Sequence, residues 1–227
     1  VKLWVVLPAY NEAAAIGSVI RQIRTITLSG IEKEILVVDD GSRDGTADIA
    51  RAEGAHVVRH MVNRGLGGAL GTGLEAARRR GADILITCDA DGQHAPEDII
   101  QVVDPILKGK ADAVIGSRMV NSRGMPMTRR LANRMANLIT YVLYGIKTTD
   151  SQSGLRAFSR TALERIRITT NTYEVSSEIC GEIGRHGLRF AEVPIRAIYT
   201  DYSLSKGQGV GVGLKTLLRL FLFRWVR

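Results

Sequence analysis

Short apolar runs recur along the chain at a steady interval, and each marks an expected strand. They lie near 3–7, 34–38, 55–58, 84–88 and 112–116. Between them, apolar residues repeat at helical spacing near 12–27, 44–53, 67–80 and 96–108. The strand runs, such as Trp4-Val5-Val6-Leu7 and Ile35-Leu36-Val37-Val38, are apolar without alternation, as in strands covered on both faces. Strand–helix alternation then predicts right-handed crossovers and an α/β fold, a doubly wound, mostly parallel sheet with flanking helices. Ligand-binding loops of such a sheet lie at the carboxyl ends of its strands.

Beyond Gly116 the rhythm changes. A helix is expected over 129–144, with Leu131, Met135, Leu138, Ile139, Val142 and Leu143 at helical spacing. Arg129, Arg130 and Arg134 stand near its start. A shorter helix follows near 174–186, then an extended segment from Leu188 to Tyr199 broken by Pro194. Residues 201–213 are glycine-rich and read as a mobile loop. Leu214–Arg227 mixes leucine, phenylalanine and tryptophan with Lys215, Arg219, Arg224 and Arg227. Fourteen residues fall short of the roughly twenty that a spanning helix needs. This segment is read as an interfacial membrane helix, or else as a helix packed on the core or on a second subunit. The chain thus divides into a domain over 1–213 and a basic, apolar C-terminal helix over 214–227, with no repeat or linker.

Composition narrows the partners. A formal charge of +8 over 227 residues would attract a phosphorylated small molecule, a polyanion or an anionic membrane surface. Aromatic residues are only 5%, and no stacking or zinc motif accompanies the charge, so nucleic acid is not an expected partner. Cys88 and Cys180 cannot build a disulfide framework, which favours a reducing, cytosolic setting. No apolar run is long enough to cross a bilayer, and no signal peptide is visible. A chain that opens at Val1 rather than Met is expected to be trimmed, and membrane segments could follow Arg227.

Candidate chemistry sits where the fold expects it. Pro8-Ala9-Tyr10-Asn11-Glu12 follows the first strand, Asp39-Asp40-Gly41-Ser42 the second, and Asp89-Ala90-Asp91-Gly92-Gln93-His94 the fourth. Two carboxylates one residue apart in an extended chain point the same way, and can hold a hard divalent cation against a diphosphate. Asp39 and Asp40 can accept hydrogen bonds from a ribose or base, while Asp44 or Ser42 caps the next helix. In Asn63-Arg64-Gly65-Leu66-Gly67-Gly68-Ala69-Leu70-Gly71, the glycines allow close helix packing. Arg64 and the free N–H groups of the helix start are expected to meet a phosphate. Arg118, after Ile115-Gly116-Ser117, could grip a phosphate bidentately. His94 is assigned to helix capping or the surface, and Cys88 to the core.

Taken in order and spacing, these motifs resemble family 2 glycosyltransferases of the GT-A (Rossmann-like) fold. The resemblance is to the branch that loads a sugar onto a polyprenyl phosphate, as dolichyl-phosphate mannose and glucose synthases do. It continues through Asp150-Ser151-Gln152-Ser153-Gly154-Leu155-Arg156-Ala157-Phe158 and Tyr202-Ser203-Leu204-Ser205-Lys206. The resemblance implies an inverting, metal-dependent transfer from a nucleoside-diphosphate sugar of the UDP-glucose or GDP-mannose type. Pro8, Tyr10, Asn11, Glu12, Asp39, Asp40, Arg64, Gly65, Gly68 and Ala90 would contact the donor. Asp89, Asp91 and Gln93 would bind Mg²⁺ or Mn²⁺. Arg118, Arg134 and Lys206 would gather around the donor diphosphate and acceptor phosphate, and Asp150, Gln152 and Arg156 would border the sugar. Gly92 stands where many mannose synthases carry leucine, which points away from mannose.

The expected setting is peripheral, on the cytoplasmic face of a membrane, where an oligomer is compatible with the sequence. Two alternatives stay open: transfer to a hydroxyl of a glycan or glycolipid, and a non-catalytic nucleotide-sugar sensor. A nicotinamide oxidoreductase fits poorly, because the glycine motif follows the third strand instead of the first.

Overall fold

The structure is a computed structural model that describes residues 1–120, 125–196 and 198. In chain order its elements are β1 (Lys2–Ala9), α1 (Ile16–Thr25), β2 (Glu32–Asp39), α2 (Thr46–Ala52), β3 (His56–Arg59), α3 (Leu66–Arg79) and β4 (Ile84–Thr87). There follow α4 (Asp98–Leu107), β5 (Ala113–Ser117), α5 (Met127–Tyr144), β6 (Arg156–Ser159), α6 (Arg160–Arg165), α7 (Val175–Arg185) and β7 (Phe190–Pro194). The strands form one sheet in the order β3-β2-β1-β4-β6-β5-β7. All neighbours run parallel except β6, which is antiparallel to both β4 and β5.

The continuous apolar runs are explained by a core on each face. Along β1, Leu3, Val5 and Leu7 join the layer under α1, α2 and α4. Trp4 and Val6 point the other way, into the layer under α3, α6 and α7. Alternation exists, but both sides are dry, so sequence shows only an unbroken run. Burying each Val or Leu side chain this way contributes about 1.5–3 kcal/mol.

Three features depart from the sequence reading, one being the six-residue helix α6, which was not expected. The helix expected from residue 12 begins at Ile16, because residues 12–15 form a turn in which Glu12 O accepts the N–H groups of Ala15 and Ile16. Strand β6 was not expected at all. It holds four residues, and an arginine opens it, so neither periodicity registers. The glycine-rich segment 201–213, Lys206 and the 214–227 helix lie outside the described residues.

Candidate active site

The ends of β1 and β2 lie side by side, with Ala9 opposite Asp39. Their loops brace each other. Asn11 N donates to Ser42 Oγ at 2.9 Å, Arg43 N to Asn11 Oδ1 at 2.9 Å, and Ala13 N to Asp44 Oδ2 at 3.0 Å. Asn11 takes a φ of 53°, a region asparagine tolerates better than most residues. Asp44 also accepts Thr46 N at the first turn of α2, the capping role expected of it. Tyr10 stands exposed at the lip, with Pro8, Asn11 and Glu12 half-buried beside it.

Adjacent carboxylates at the end of β2 have separate tasks. Asp39 accepts Ser42 N at 3.0 Å, and Arg59 Nε lies 3.0 Å from its second oxygen. Asp40 accepts Arg64 N at 2.8 Å and Gly65 N at 2.7 Å, and pairs with His60 Nδ1 at 2.7 Å. A buried Asp40 engaged in this way shapes the Arg64–Gly65 loop. The glycine stretch corrects an expectation. Gly67 N and Gly68 N point at the carbonyl of Asn171, at 3.0 and 3.4 Å, so chain, not phosphate, takes the helix start. A Cβ on Gly67 would lie 2.0 Å from Thr170 O, which is why glycine is needed there. Arg64 remains exposed.

At the end of β4 the paired carboxylates face different surroundings. His94 Nε2 lies 3.2 Å from Asp89 Oδ2. Gln93 N donates to Asp91 Oδ1 at 3.0 Å, and the Gln93 side chain meets the other oxygen. Burial works against ionisation of Asp89, but the His94 bond and charge, with Arg118 and Arg156, hold its carboxyl below the usual value. Burial and the Asp89 charge push Asp91 above it, with Gln93 offsetting part. Two carboxylates in mutual conflict beside an amide form the oxygen donor set that suits a hard divalent cation. Among the described residues no cluster of three or more His, Cys, Asp or Glu converges, so the amide of Gln93 would have to complete the set. Ala90 between them is buried.

Across β6, at the end of β5, Arg118 meets Asp150. Its Nε and Nη2 donate to the two carboxylate oxygens at 2.8 and 2.9 Å, and its backbone N donates at 2.9 Å. Asn133, on the inner face of α5, donates to Asp150 Oδ1 at 2.7 Å. Asp150 and Arg156, expected to border a sugar, are both fully buried. Asp150 is instead engaged by Arg118 and Asn133. Arg156 opens β6, opposite Thr87 on one side and Ile115 on the other. It donates to Ser151 O and Ser176 Oγ, beneath the cleft floor. Gln152 is half-buried and donates to Ser151 Oγ, while Arg134 is exposed on α5.

His94, Asn133 and Gly154 lie against Asp89 or Asp150, and sequence reasoning gave none of them a place at the site. His94 is neither a cap nor at the surface, since its side chain is only 3% exposed. Its place directly after the carboxylate motif was the available signal. Cys88 is a core thiol as expected, with burial and then the Asp89 and Asp91 charges pushing its pKa well up.

Residues 4–167 match the profile described as Glycosyl transferase family 2. The chain belongs to that family. This glycosyltransferase is 37% identical over 244 residues to the UDP-N-acetylglucosamine–dolichyl-phosphate N-acetylglucosaminyltransferase of Methanococcus voltae, covering 98% of this chain and 96% of that one. It is 32% identical over 219 residues to the undecaprenyl-phosphate mannosyltransferase of Micrococcus luteus, covering 92% and 88%. Among solved structures it is similar to glucosyl-3-phosphoglycerate synthase from Mycobacterium tuberculosis in complex with Mn²⁺, UDP and glucosyl-3-phosphoglycerate. That likeness has a TM-score of 0.74 at 26% identity and covers 98% of this chain and 79% of that one. The sheet is the GT-A-like mixed α/β fold expected from the resemblance, and the relatives support sugar transfer to a polyprenyl phosphate.

Proposed function

We propose that this glycosyltransferase moves a sugar, with inversion, from a nucleoside-diphosphate sugar to a polyprenyl phosphate at a membrane surface, on its cytoplasmic face. The observation that carries the reading is the seating of Arg118. It stands across β6 from the Asp89–Asp91 pair, clamped by Asp150, which Asn133 holds in turn. Such a cation, fixed in advance, suits an acceptor that brings its own negative charge.

A sugar hydroxyl needs a base to take its proton, but a lipid phosphate is already an anionic nucleophile. Its oxygen bonds to the anomeric carbon as the bond from that carbon to the donor diphosphate breaks, and the electron pair leaves with the nucleoside diphosphate. Arg118 orients the acceptor phosphate, with Arg134 and Lys206 as its expected companions. Pro8, Tyr10, Asn11, Glu12 and Asp39 form the nucleoside side, with the Arg64–Gly65 loop set by Asp40 and packed against Gly68. Asp89, Asp91 and Gln93 would hold a divalent cation that neutralises the departing diphosphate when bound. The Mn²⁺ and UDP in the similar solved structure support that donor set.

Helix α5 supports the membrane as the setting. Met127, Leu131, Met135, Leu138 and Val142 are exposed along it, next to the exposed Arg134. An apolar stripe beside a cation fits an anionic lipid surface. No helix among the described residues is long and apolar enough to cross a membrane.

The reading is tested by offering Mn²⁺, a polyprenyl phosphate and labelled UDP-N-acetylglucosamine, UDP-glucose or GDP-mannose. Label should enter the organic phase from one donor, and Asp91→Ala should abolish that transfer while leaving the melting temperature intact. The dolichyl-phosphate relative makes UDP-N-acetylglucosamine the first donor to offer. Turnover with no organic label would instead support a second reading, transfer to a small phosphorylated acceptor. The glucosyl-3-phosphoglycerate in the similar structure favours that alternative.

A further inference from the structure

Asp89 is confined from two sides by groups that no binding role explains. On one side stands His94, its side chain 3% exposed and its Nε2 3.2 Å from Asp89 Oδ2. The other ring nitrogen, Nδ1, is buried and finds no hydrogen-bond partner among the described residues. A carboxylate only accepts, so Nε2 is the donor and its N–H is given to Asp89. On the other side stands Gly154. A Cβ there would lie 2.2 Å from both carboxylate oxygens of Asp89, so the carboxylate occupies the space a side chain would fill. Gly154 is fixed in turn, because its carbonyl accepts Thr87 Oγ1 at 2.8 Å from the strand that delivers Asp89.

We infer that His94 and Gly154 are positioning residues that set the Asp89 carboxylate for a divalent cation, His94 through its Nε2–H and Gly154 by its missing side chain. This rests on the metal reading of Asp89 and Asp91 given above. Neighbours that orient a ligating carboxylate typically alter metal affinity about 10–100-fold when removed. An ordinary buried histidine would alter stability instead.

The test is a titration of Mn²⁺ into the whole chain with UDP present, reading free Mn²⁺ by electron paramagnetic resonance. UDP affinity without metal and thermal melting are followed in parallel. His94→Gln places an amide N–H near the position of Nε2, His94→Asn near that of Nδ1, and His94→Leu places none. Leu and Asn should weaken Mn²⁺ binding by about tenfold or more, and Gln should stay within roughly threefold of the wild type. Metal-free UDP affinity should not move. Gly154→Ala, which reaches the same carboxylate from the other side, should weaken Mn²⁺ binding as Leu does, and serves if a His94 variant fails to fold. Wild-type Mn²⁺ affinity in His94→Leu or Gly154→Ala overturns the inference, as does a Gln variant no better than Leu. A wild-type chain that takes up no Mn²⁺ beside UDP instead overturns the metal reading on which it rests.

Discussion

Asp150 shows how a single buried charge can hold a neighbouring cation in place. Burial opposes its ionisation, but the Arg118 charge and the hydrogen bonds from Arg118 and Asn133 keep its carboxyl below the ordinary value. Folded pKa below unfolded pKa means the stabilisation is complete above about pH 4 and is lost as pH falls through the lower folded value. Asp150→Ala should cost about 3 kcal/mol at neutral pH, because it breaks a buried ion pair by removing one partner. Melting curves of both proteins between about pH 7 and 3 should converge on the acid side, and a gap independent of pH would refute this linkage. Two glycines of α3 give a sharper contrast. A Cβ on Gly71 would meet Ile168 Cβ at an ordinary 3.7 Å, whereas one on Gly73 would lie 2.3 Å from Val6 Cγ1. Alanine gains up to about 1 kcal/mol of helix propensity at either position. Gly71→Ala should therefore stabilise by about 0.5–1 kcal/mol. At Gly73 the overpacking cost of roughly 1–3 kcal/mol wins, so the two melting temperatures should move in opposite directions.

Among the elements, α5 works on two faces. Its inner face delivers Asn133 to Asp150, and its outer face carries the apolar stripe. Replacing Leu131 and Leu138 together by glutamate should reduce sedimentation with anionic liposomes several-fold, since each leucine loses a burial worth about 1.5–3 kcal/mol. UDP binding should hold. Equal loss of both would mean that the stripe supports the fold rather than the membrane. The parallel strands and their helices were legible because paired dry faces write long apolar runs and helical periods into the chain. Strand β6 was not. Ala157 and Phe158 are buried as a strand requires, but Arg156 before them reads as a surface residue unless its neighbours are known. The same blindness hid His94, because the carboxylate that claims it is visible only after the chain turns.

At the scale of the whole molecule, the loop positions predicted from topology were legible: the ends of β1, β2 and β4 carry Tyr10, Asp39 and Asp89 as the sheet rule requires. What the sequence left illegible was the split between residues that face the cleft and those beneath it. Asp40, Asp150 and Arg156 share motifs with residues of the strand-end loops, and only the fold shows which chain groups engage them. The antiparallel β6 also bears on how the chain must be made. Gly154, against which Asp89 rests, lies 67 residues after the Thr87 that binds its carbonyl. At a synthesis rate of roughly 5–20 residues per second, a ribosome needs several seconds to cover that distance. During that interval the nascent β1–β4 sheet has an open edge, the kind that recruits other strands. The segment that brings Gly154 against Asp89 is therefore also the one that seals that edge. On the proposed metal reading, a newborn chain closes one aggregation-prone edge and completes the surroundings of its cation site in the same step.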